Sequence, residues 1–377
     1  MQSVKRVFRA ALAAAGCLLL IFVSAGCNPP RRLPSVPPGQ WTGHLGGANR
    51  SPYAGETVTP AFEIEWRKQI GRGVAAPVQV HGDVVVAATT SRTIVVLNAN
   101  SGMQYWSRSF RSPIAGAPLK HGDRVFLGTG DRERKMHAVE ITRGRGIWSR
   151  EVGSIRVEPI LSDDQLIVVA DDGTVRALAT DDGRVLWSTR IAGVPAAPPV
   201  PWSSHILVAT SADTLYRITT ANGEITARRA LPGTVSAPPL LDGDRIVLPF
   251  QSGHLAGYGL PAMDSLWTVD LGAPIQAAPV TANNTMFALT RDAVIWQISQ
   301  NGAAQRVAAL GGAATGALTA IRDRLFVGRL DGTLFLLDLD GNTLWRHDFE
   351  DSIVAPVAVH HGGLFVALLR GDLIKLR

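Results

Sequence analysis

Tryptophan recurs along this chain at a nearly constant spacing of 39 to 42 residues, with Ala227 and Arg306 at the two positions where it is missing. A second series, in which a small or acidic residue precedes proline, runs beside it with the same period and with Ala317-Leu318 as its degenerate member. A period of this length predicts a β-propeller or a solenoid. The tryptophans of the series are Trp66, Trp106, Trp148, Trp187, Trp267 and Trp345. The proline pairs are Ala76-Pro77, Ala117-Pro118, Glu158-Pro159, Ala197-Pro198, Ala237-Pro238, Ala278-Pro279 and Ala355-Pro356.

Each period consists of short β-rich runs separated by tight turns. Residues 75–110 contain four such runs, divided by the turns HGD, TSR and NSG. This pattern is typical of an antiparallel meander, and four strands in about 40 residues form one propeller blade. No helical periodicity occurs, which argues against a solenoid. We therefore predict an all-β fold over residues 60–377: an eight-bladed β-propeller of four-stranded antiparallel blades.

The phrase DDGRVLW, residues 181–187, explains why glycine and tryptophan recur together. Gly183 permits a positive φ in the third hairpin turn of its blade, and the preceding Asp182 can bond the turn backbone. Trp187 then lies on the fourth, outermost strand, where we predict that its ring packs between adjacent blades. The tryptophans are therefore predicted to be structural residues and not part of a cofactor site.

The order of the two series predicts how the ring closes. Trp66 precedes the first proline pair, so residues 62–68 form an outer strand that has no blade of its own. After Ala355-Pro356 the chain supplies only three strands. We predict that the N-terminal strand completes the last blade, because the circle would otherwise contain an open strand edge.

Residues 1–26 read as a lipoprotein signal peptide. Basic residues precede an apolar run that ends in small residues ahead of Cys27, an order typical of secretion signals. The end of this segment resembles the bacterial lipobox, although Ser24 stands where leucine is usual, and the resemblance implies that Cys27 is acylated. Residues 27–59 would then comprise the lipidated cysteine, a proline-rich tether and an N-terminal extension.

Removal of the signal peptide would lower both the net charge and the number of cysteines of the chain. The full chain has 37 basic and 31 acidic residues, and without residues 1–26 it has 34 basic and 31 acidic ones, a formal charge of +3. So small an excess predicts no nucleic-acid partner. Cys17 would be removed, which leaves Cys27 alone and allows no disulfide within the chain.

The Gly-x-x-x-Trp phrase in blades of this length resembles the pyrroloquinoline-quinone (PQQ) type of repeat, over residues 60–377. Residues 41–53, WTGHLGGANRSPY, resemble the phrase that often precedes the first such blade. A lipoprotein that consists only of this propeller is similar to BamB-type proteins. That resemblance implies a scaffold at the periplasmic face of the outer membrane, with the β-barrel assembly machinery as partner. Asn28 favours the outer membrane, since Asp after the cysteine often retains lipoproteins at the inner membrane. Anchoring at the inner membrane is the alternative.

Two alternatives fit the same repeat. PQQ-dependent dehydrogenases have similar blades, but they usually carry paired cysteines, calcium-binding Glu or Asn residues and a catalytic Asp, and this chain has no adjacent cysteines. Its acidic pairs, such as Asp171-Asp172 and Asp181-Asp182, fall in predicted hairpin turns, where Asp is a common turn former. A periplasmic propeller that binds a polysaccharide or another ligand is the second alternative. We predict no catalytic residue, no metal and no cofactor.

One insertion distinguishes a single blade. The segment GTGDRERKMH, residues 128–137, lies between the second and third predicted strands of its blade. Arg132, Arg134 and Lys135 make it basic. A solvated turn is the default interpretation, and contact of these residues with a protein partner is the sharper hypothesis. The links between blades show no lengthened loop that would match a partner-binding loop of BamB-type proteins. His81 and the histidines at equivalent turns are predicted to be polar rim residues.

The lipid anchor gives the first testable prediction. Wild-type protein should incorporate labelled palmitate and fractionate with membranes, because two or three acyl chains hold a protein stably, whereas one alone binds with K of about 10⁴ M⁻¹. The Cys27→Ser variant should carry no label. Wild-type protein without palmitate, together with a membrane-bound variant, would contradict acylation at Cys27.

Overall fold

A computed structural model describes residues 61–162 and 164–377 of the chain. This part contains 32 strands, which form eight separate four-stranded sheets. Each sheet is one antiparallel blade, so the predicted all-β, eight-bladed propeller is confirmed. The signal peptide, Cys27, the tether and the segment 41–53 lie outside the described residues, and the expectations about them stay predictions.

The strands follow one another blade by blade around the ring. Blades 1 to 4 contain β2 (Gln79–His81), β3 (Val84–Ala88), β4 (Thr93–Asn98), β5 (Gln104–Ser109); β6 (Ile114–His121), β7 (Arg124–Thr129), β8 (Lys135–Glu140), β9 (Gly146–Glu151); β10 (Ile160–Ser162), β11 (Gln165–Val169), β12 (Thr174–Ala179), β13 (Val185–Arg190); and β14 (Val200–Trp202), β15 (His205–Thr210), β16 (Thr214–Thr219), β17 (Ile225–Ala230). Blades 5 to 8 contain β18 (Leu240–Asp242), β19 (Arg245–Pro249), β20 (His254–Gly259), β21 (Asp264–Asp270); β22 (Val280–Ala282), β23 (Thr285–Leu289), β24 (Val294–Ile298), β25 (Ala304–Ala309); β26 (Ala314–Ile321), β27 (Arg324–Arg329), β28 (Thr333–Asp338), β29 (Thr343–Asp348); and β30 (Ala358–His360), β31 (Gly363–Ala367), β32 (Asp372–Leu376), with β1 (Ile64–Gln69) as the fourth strand of blade 8.

The second and third strands of the blades form most of the core. Every residue of β3 and of β31 is buried, because a neighbouring blade covers each face of the sheet. Such strands carry continuous apolar runs, as strands covered on both faces require. The fourth strands alternate instead: Trp187 in β13 is buried, while Leu186 and Ser188 on either side are exposed. An outer strand therefore buries one face and presents the other to solvent.

The proline pairs lie just before the innermost strands, as Ala76-Pro77 does before β2, or, in blade 2, at an irregularity within the strand. The ladder of β6 shifts register between Ala115 and Leu119, across Ala117-Pro118. The ladder of β26 shifts in the same way between Ala314 and Leu318. Because proline has no N–H to donate to a ladder, it is tolerated at such irregularities. The second series of the sequence thus marks the innermost strand of each blade.

At five of the eight junctions a blade is joined to the next by a tryptophan that packs on a glycine. The indole of Trp148 lies over Gly183 of blade 3, where an added Cβ would sit 2.6 Å from the ring. The Nε1–H of Trp148 donates to the carbonyl oxygen of Thr180 at 2.9 Å. Gly183 has a φ of +70°, so the turn and the ring contact both require glycine. We call this contact the tryptophan–glycine joint. The joints are Trp66–Gly102, Trp106–Gly144, Trp148–Gly183, Trp187–Gly223 and Trp267–Gly302.

The ring closes between the two ends of the described chain. Strand β1 pairs antiparallel with β32, with Trp66 opposite Lys375, which confirms that the N-terminal strand completes the last blade. Since no hairpin turn connects these two strands, the joint from blade 7 to blade 8 has no turn glycine. Phe62 takes the place of the turn glycine: its ring meets the ring of Trp345 edge to face, with 5.0 Å between the ring centroids. Lys375 Nζ also lies 2.8 Å from Glu65 Oε2 across the closure.

The joint can be tested with two glycines of similar backbone conformation. Gly183 (φ +70°) and Gly243 (φ +60°) both adopt the left-handed region, but an added Cβ would meet Trp148 at Gly183 and nothing within 4 Å at Gly243. Gly183→Ala should lower the free energy of unfolding by about 1–3 kcal/mol more than Gly243→Ala, as overpacking does. Denaturant titrations measure both variants, and equal losses would contradict the joint.

Candidate functional site

A groove with a volume of about 1150 Å³ lies between blades 1 and 2. Blade 1 contributes residues of β5 and of the segments next to β4 and β5, while blade 2 contributes the predicted insertion and residues of β8 and β9. We call it the cationic groove, because five arginine or lysine side chains line it. Its lining includes Arg92, Arg108, Phe110, Arg111, Arg132, Glu133, Lys135, His137, Ile147, Trp148 and Ser149.

The tryptophan–glycine joint positions one wall of the groove. Trp106 packs on Gly144 of blade 2, and Arg108, two residues further along the same face of β5, donates from Nη1 to Gly144 O at 2.8 Å. The Arg108 guanidinium lies 5.6 Å from the centre of the Phe110 ring, which in turn lies 5.0 Å from the ring of His137. Arg108 is therefore fixed across the interface of the two blades.

Backbone and side-chain hydrogen bonds hold the rim of the groove. Arg92 Nη1 donates to Arg111 O at 3.1 Å, and the Arg111 backbone N–H donates to Glu133 Oε2 at 3.1 Å. The Glu133 N–H donates in turn to Ser112 Oγ at 2.9 Å. The carboxylate of Glu133 thus ties the insertion of blade 2 to the chain that leaves blade 1.

The insertion is a compact turn of blade 2. Thr129 Oγ1 donates to Lys135 O at 3.0 Å, across six residues, whereas the equivalent bond in blade 1, from Thr89 to Thr93, crosses four. Two residues have therefore been added. Arg132 and Lys135 line the cationic groove, and the exposed Arg134 does not. The structure thus brings two of the three predicted contact residues together in one groove.

Sequence reasoning missed Arg92, Arg108 and Arg111, which come from the preceding blade. A signal for Arg92 was present, because Phe110 N–H bonds Arg92 O just as Val152 N–H bonds Arg134 O. Arg92 and Arg134 are thus equivalent residues of successive blades. Superimposing the repeats on the sequence would have shown that Arg92 occupies the same turn position as Arg134 of the insertion, although not that it faces the insertion.

The groove carries an excess of positive charge. It is lined by five cationic side chains and a single carboxylate, that of Glu133. Within residues 61–162 and 164–377, none of the five cations forms an ion pair with a carboxylate. A recessed surface of one charge sign focuses the field and attracts ions of opposite charge. The arrangement therefore suits an anionic ligand.

His137 adds a neutral polar group to the groove wall. Burial lowers its pKa to about 4, and the positive charges of Arg108 and Lys135 act in the same direction. Glu133, whose Oε1 lies 3.6 Å from His137 Nε2, acts against them without reversing the shift. His137 is therefore neutral at pH 7.

A second group of basic side chains is buried at the innermost strands. His81 is the last residue of β2 and is 7% exposed, so its predicted place on the rim is wrong: β2 pairs with β3 and packs against β30 of the neighbouring blade. Burial, with the charges of Lys120 and His360, lowers the His81 pKa to about 3. Lys120 is 2% exposed, and burial lowers its pKa as well. These residues adjoin the ring centre and not the cationic groove.

The described acidic pairs lie in turns, as predicted. Asp171 Oδ2 accepts a hydrogen bond from Arg156 Nε at 2.7 Å, and Asp182 Oδ1 accepts one from the backbone N–H of Arg184 at 2.9 Å. In the part of the chain that the structure describes, no group of three or more His, Cys, Asp or Glu residues is arranged to hold a metal ion. No helix in that part has the length and apolar character needed to cross a membrane.

A closed ring of Gly-x-x-x-Trp blades defines a propeller of the PQQ-repeat class. The family model described as outer membrane protein assembly factor BamB matches residues 63–195 and 171–266, more than half of the chain. The chain belongs to this family, and the resemblance inferred from the repeat is confirmed.

Individual relatives agree with this assignment. Outer membrane protein assembly factor BamB of Alkalilimnicola ehrlichii is 30% identical over 200 residues, which cover 50% of this chain and 52% of that protein. The crystal structure of BamB from Moraxella catarrhalis has a TM-score of 0.70 at 16% identity, covering 84% of this chain and 100% of that one. A quinohemoprotein alcohol dehydrogenase from Pseudomonas putida HK5 also has a TM-score of 0.70, at 10% identity over 90% of this chain and 80% of its own. Both structures show the fold alone. The chain spans about half the length, or less, of the curated relatives it matches.

The buried imidazole of His137 predicts how stability depends on pH. Its pKa of about 4 in the folded protein lies below the ordinary value of about 6.5. As pH falls through 6.5, the unfolded chain therefore binds a proton that the folded protein does not, and stability is lost. Between pH 7 and pH 5 this group alone should lower the free energy of unfolding by about 2 kcal/mol.

His137→Gln should remove that contribution. Denaturant titrations at pH 7 and pH 5 should then show a smaller loss for the variant than for wild type, while the contribution of His81 stays common to both. Identical losses in the two proteins would contradict a buried neutral His137.

Proposed function

We propose that this protein is a non-catalytic, lipid-anchored scaffold that takes part in the assembly of outer-membrane β-barrel proteins. The observation that carries the proposal is the match of residues 63–195 and 171–266 to the family of outer membrane protein assembly factor BamB. A closed propeller suits this role, because its joints hold the loops of eight blades in fixed relative positions.

The proposed location is the periplasmic face of the outer membrane. The signal sequence in residues 1–26 and the small residues ahead of Cys27 support export and acylation at that cysteine. Asn28 supports release from the inner membrane. The proline-rich residues 28–40 would act as a semi-rigid spacer between the lipid and the propeller. Two or more acyl chains would keep the ring beside the membrane.

Partner contact is proposed at the basic insertion of blade 2. Arg132 and Lys135 line the cationic groove, and Arg134 is exposed in the same turn. Binding residues commonly lie on loops that a rigid scaffold positions. The hydrogen bonds of Glu133 to the neighbouring blade supply such support.

Fold alone does not separate this function from that of a quinoprotein dehydrogenase. The Moraxella BamB structure and the Pseudomonas quinohemoprotein dehydrogenase have the same TM-score of 0.70, and one fold supports many functions. The family model and the relative at 30% identity both bear the name of an assembly factor. These two observations favour the scaffold.

Gene deletion tests the proposal in cells. Loss of the gene should lower the amounts of outer-membrane barrel proteins and make cells more sensitive to large antibiotics, because fewer barrels would be assembled correctly. Wild-type protein supplied from a plasmid should restore both properties. Unchanged barrel proteins and unchanged sensitivity would contradict the proposal.

Affinity capture of the native lipoprotein in mild detergent tests the partner directly. A recovered barrel-assembly protein would support the scaffold, whereas a recovered oxidoreductase chain would support redox chemistry. Oxidation of an alcohol or sugar by the purified protein, with added PQQ and calcium, would overturn the non-catalytic assignment. Retention on polysaccharide without any protein partner would favour the ligand-binding propeller instead.

A further inference from the structure

We infer, on the basis of the proposed scaffold function, that the cationic groove binds an extended acidic segment of a partner protein. The segment would place carboxylates against the arginines of the groove and apolar side chains against its wall. Charge, apolar lining and an unpaired strand edge each support this assignment.

What distinguishes the groove is that five cations line one recess. Some surface arginines elsewhere have a carboxylate partner, as Arg124 has in Asp181 at 2.7 Å, and others, such as Arg190 and Arg306, have none among the described residues. The five groove cations have no such partner among the described residues. Guanidinium groups match carboxylates in bidentate geometry. Carboxylates of a partner protein would therefore supply the ion-pair partners that the groove cations lack among the described residues.

Arg92 occupies a backbone position that many blades fill with glycine. Its φ is +63°, a region that disfavours residues with a Cβ. Non-glycine residues take a positive φ at this position in three other blades too, at Arg134, Asp213 and Ala293, so the conformation belongs to the repeat. What blade 1 adds is the side chain, which places a guanidinium in the groove. Glycine stands at the equivalent position in Gly173, Gly253, Gly332 and Gly371.

The groove also has apolar walls. Phe110 on the blade 1 side is half-buried, and Ile147 on the blade 2 side is 41% exposed. A simple polyanion would leave these side chains uncovered, whereas a peptide that alternates acidic and apolar residues would cover them. Burial of the apolar surface would add to the electrostatic attraction.

The outer edge of blade 2 offers main-chain groups to an extended segment. Strand β9 pairs with β8 on one side, and no described strand pairs with its other edge. Four consecutive residues of β9, from Gly146 to Ser149, line the groove. An extended peptide can add to such an edge through backbone hydrogen bonds. The occupant is therefore inferred to be an extended chain.

Anionic lipid headgroups are the competing source of negative charge. A bilayer surface is broad, and basic patches that bind it project toward it. The cations here line a recessed cleft beside Phe110, Ile147 and a strand edge. These features favour a polypeptide over a lipid surface.

The test uses the purified full-length protein in detergent and a fluorescent octapeptide that alternates glutamate with leucine or phenylalanine. Fluorescence anisotropy should show saturable binding that weakens as salt is added, because screening reduces the attraction. The same peptide with glutamine in place of glutamate should bind at least tenfold more weakly. Equal binding of the two peptides, or no binding of the acidic one, would overturn the inference.

Two double variants separate the groove from the general charge of the ring. Arg111→Gln with Arg132→Gln removes two groove cations that form no ion pair, and the dissociation constant of the acidic peptide should rise at least tenfold. Arg190→Gln with Arg306→Gln removes the same charge from exposed positions outside the groove and should change it less than twofold. Equal effects of the two double variants would overturn the groove as the binding site.

Lipid is tested by competition. Detergent micelles that contain phosphatidylglycerol should leave peptide binding unchanged, and displacement of the peptide by this lipid would overturn the inference in favour of a headgroup site.

The result of the peptide-binding experiments is independent of the gene-deletion test in cells. If the peptide fails to bind while gene deletion still lowers barrel proteins, the groove assignment fails and the scaffold stands. If the peptide binds and gene deletion has no effect, the groove assignment stands and the scaffold function fails.

Discussion

The contact between an outer-strand tryptophan and the turn glycine of the next blade determines how this ring is held together. A blade of four short strands cannot bury both of its faces, so its stability depends on the two neighbours. The indole covers the glycine where a Cβ would approach within 2.6 Å at Gly183. In four of the five joints its Nε1–H also donates to a carbonyl three residues before the glycine, as in Trp187 to Thr220 O at 2.8 Å, whereas the buried Nε1 of Trp267 has no hydrogen-bond partner among the described residues. In those four joints one residue thus supplies both apolar burial and a directed bond.

The joints that depart from this pattern show what the contact must provide. Blade 4 has Ala227 in place of tryptophan, and there Arg217 donates from Nη1 to Pro261 O in the turn of blade 5. At the ring closure, where no turn exists, Phe62 meets Trp345 edge to face. In each case another side chain bridges the same two blades. Tryptophan on glycine is the commonest link between blades, and Arg217 of β16 shows that the third strand of a blade can supply one instead.

Much of this architecture follows from the sequence because the joint repeats. The spacing of tryptophan and the position of Trp66 ahead of the first proline pair predicted the number of blades and the closing strand. The groove could be predicted only in part, because its walls come from two blades. Arg132 and Lys135 stand out as an insertion, whereas Arg108 becomes a wall residue only through its bond to Gly144 O of the next blade. The burial of His81 was missed for a similar reason, since strands of neighbouring blades cover it.

The joint also explains why a binding groove can form at one junction without disturbing the rest. It fixes the tryptophan, the turn glycine and the apolar middle strands, and it leaves the turns between the second and third strands free to differ. Blade 1 uses that freedom for Arg92 at a φ of +63°, and blade 2 uses it for an insertion that carries Arg132 to the same groove. Arg134, the equivalent of Arg92 one blade further on, lies outside the groove. Arg92 and Arg132 therefore come together where blade 1 meets the longer turn of blade 2, and this makes the groove a local property of a repeated fold.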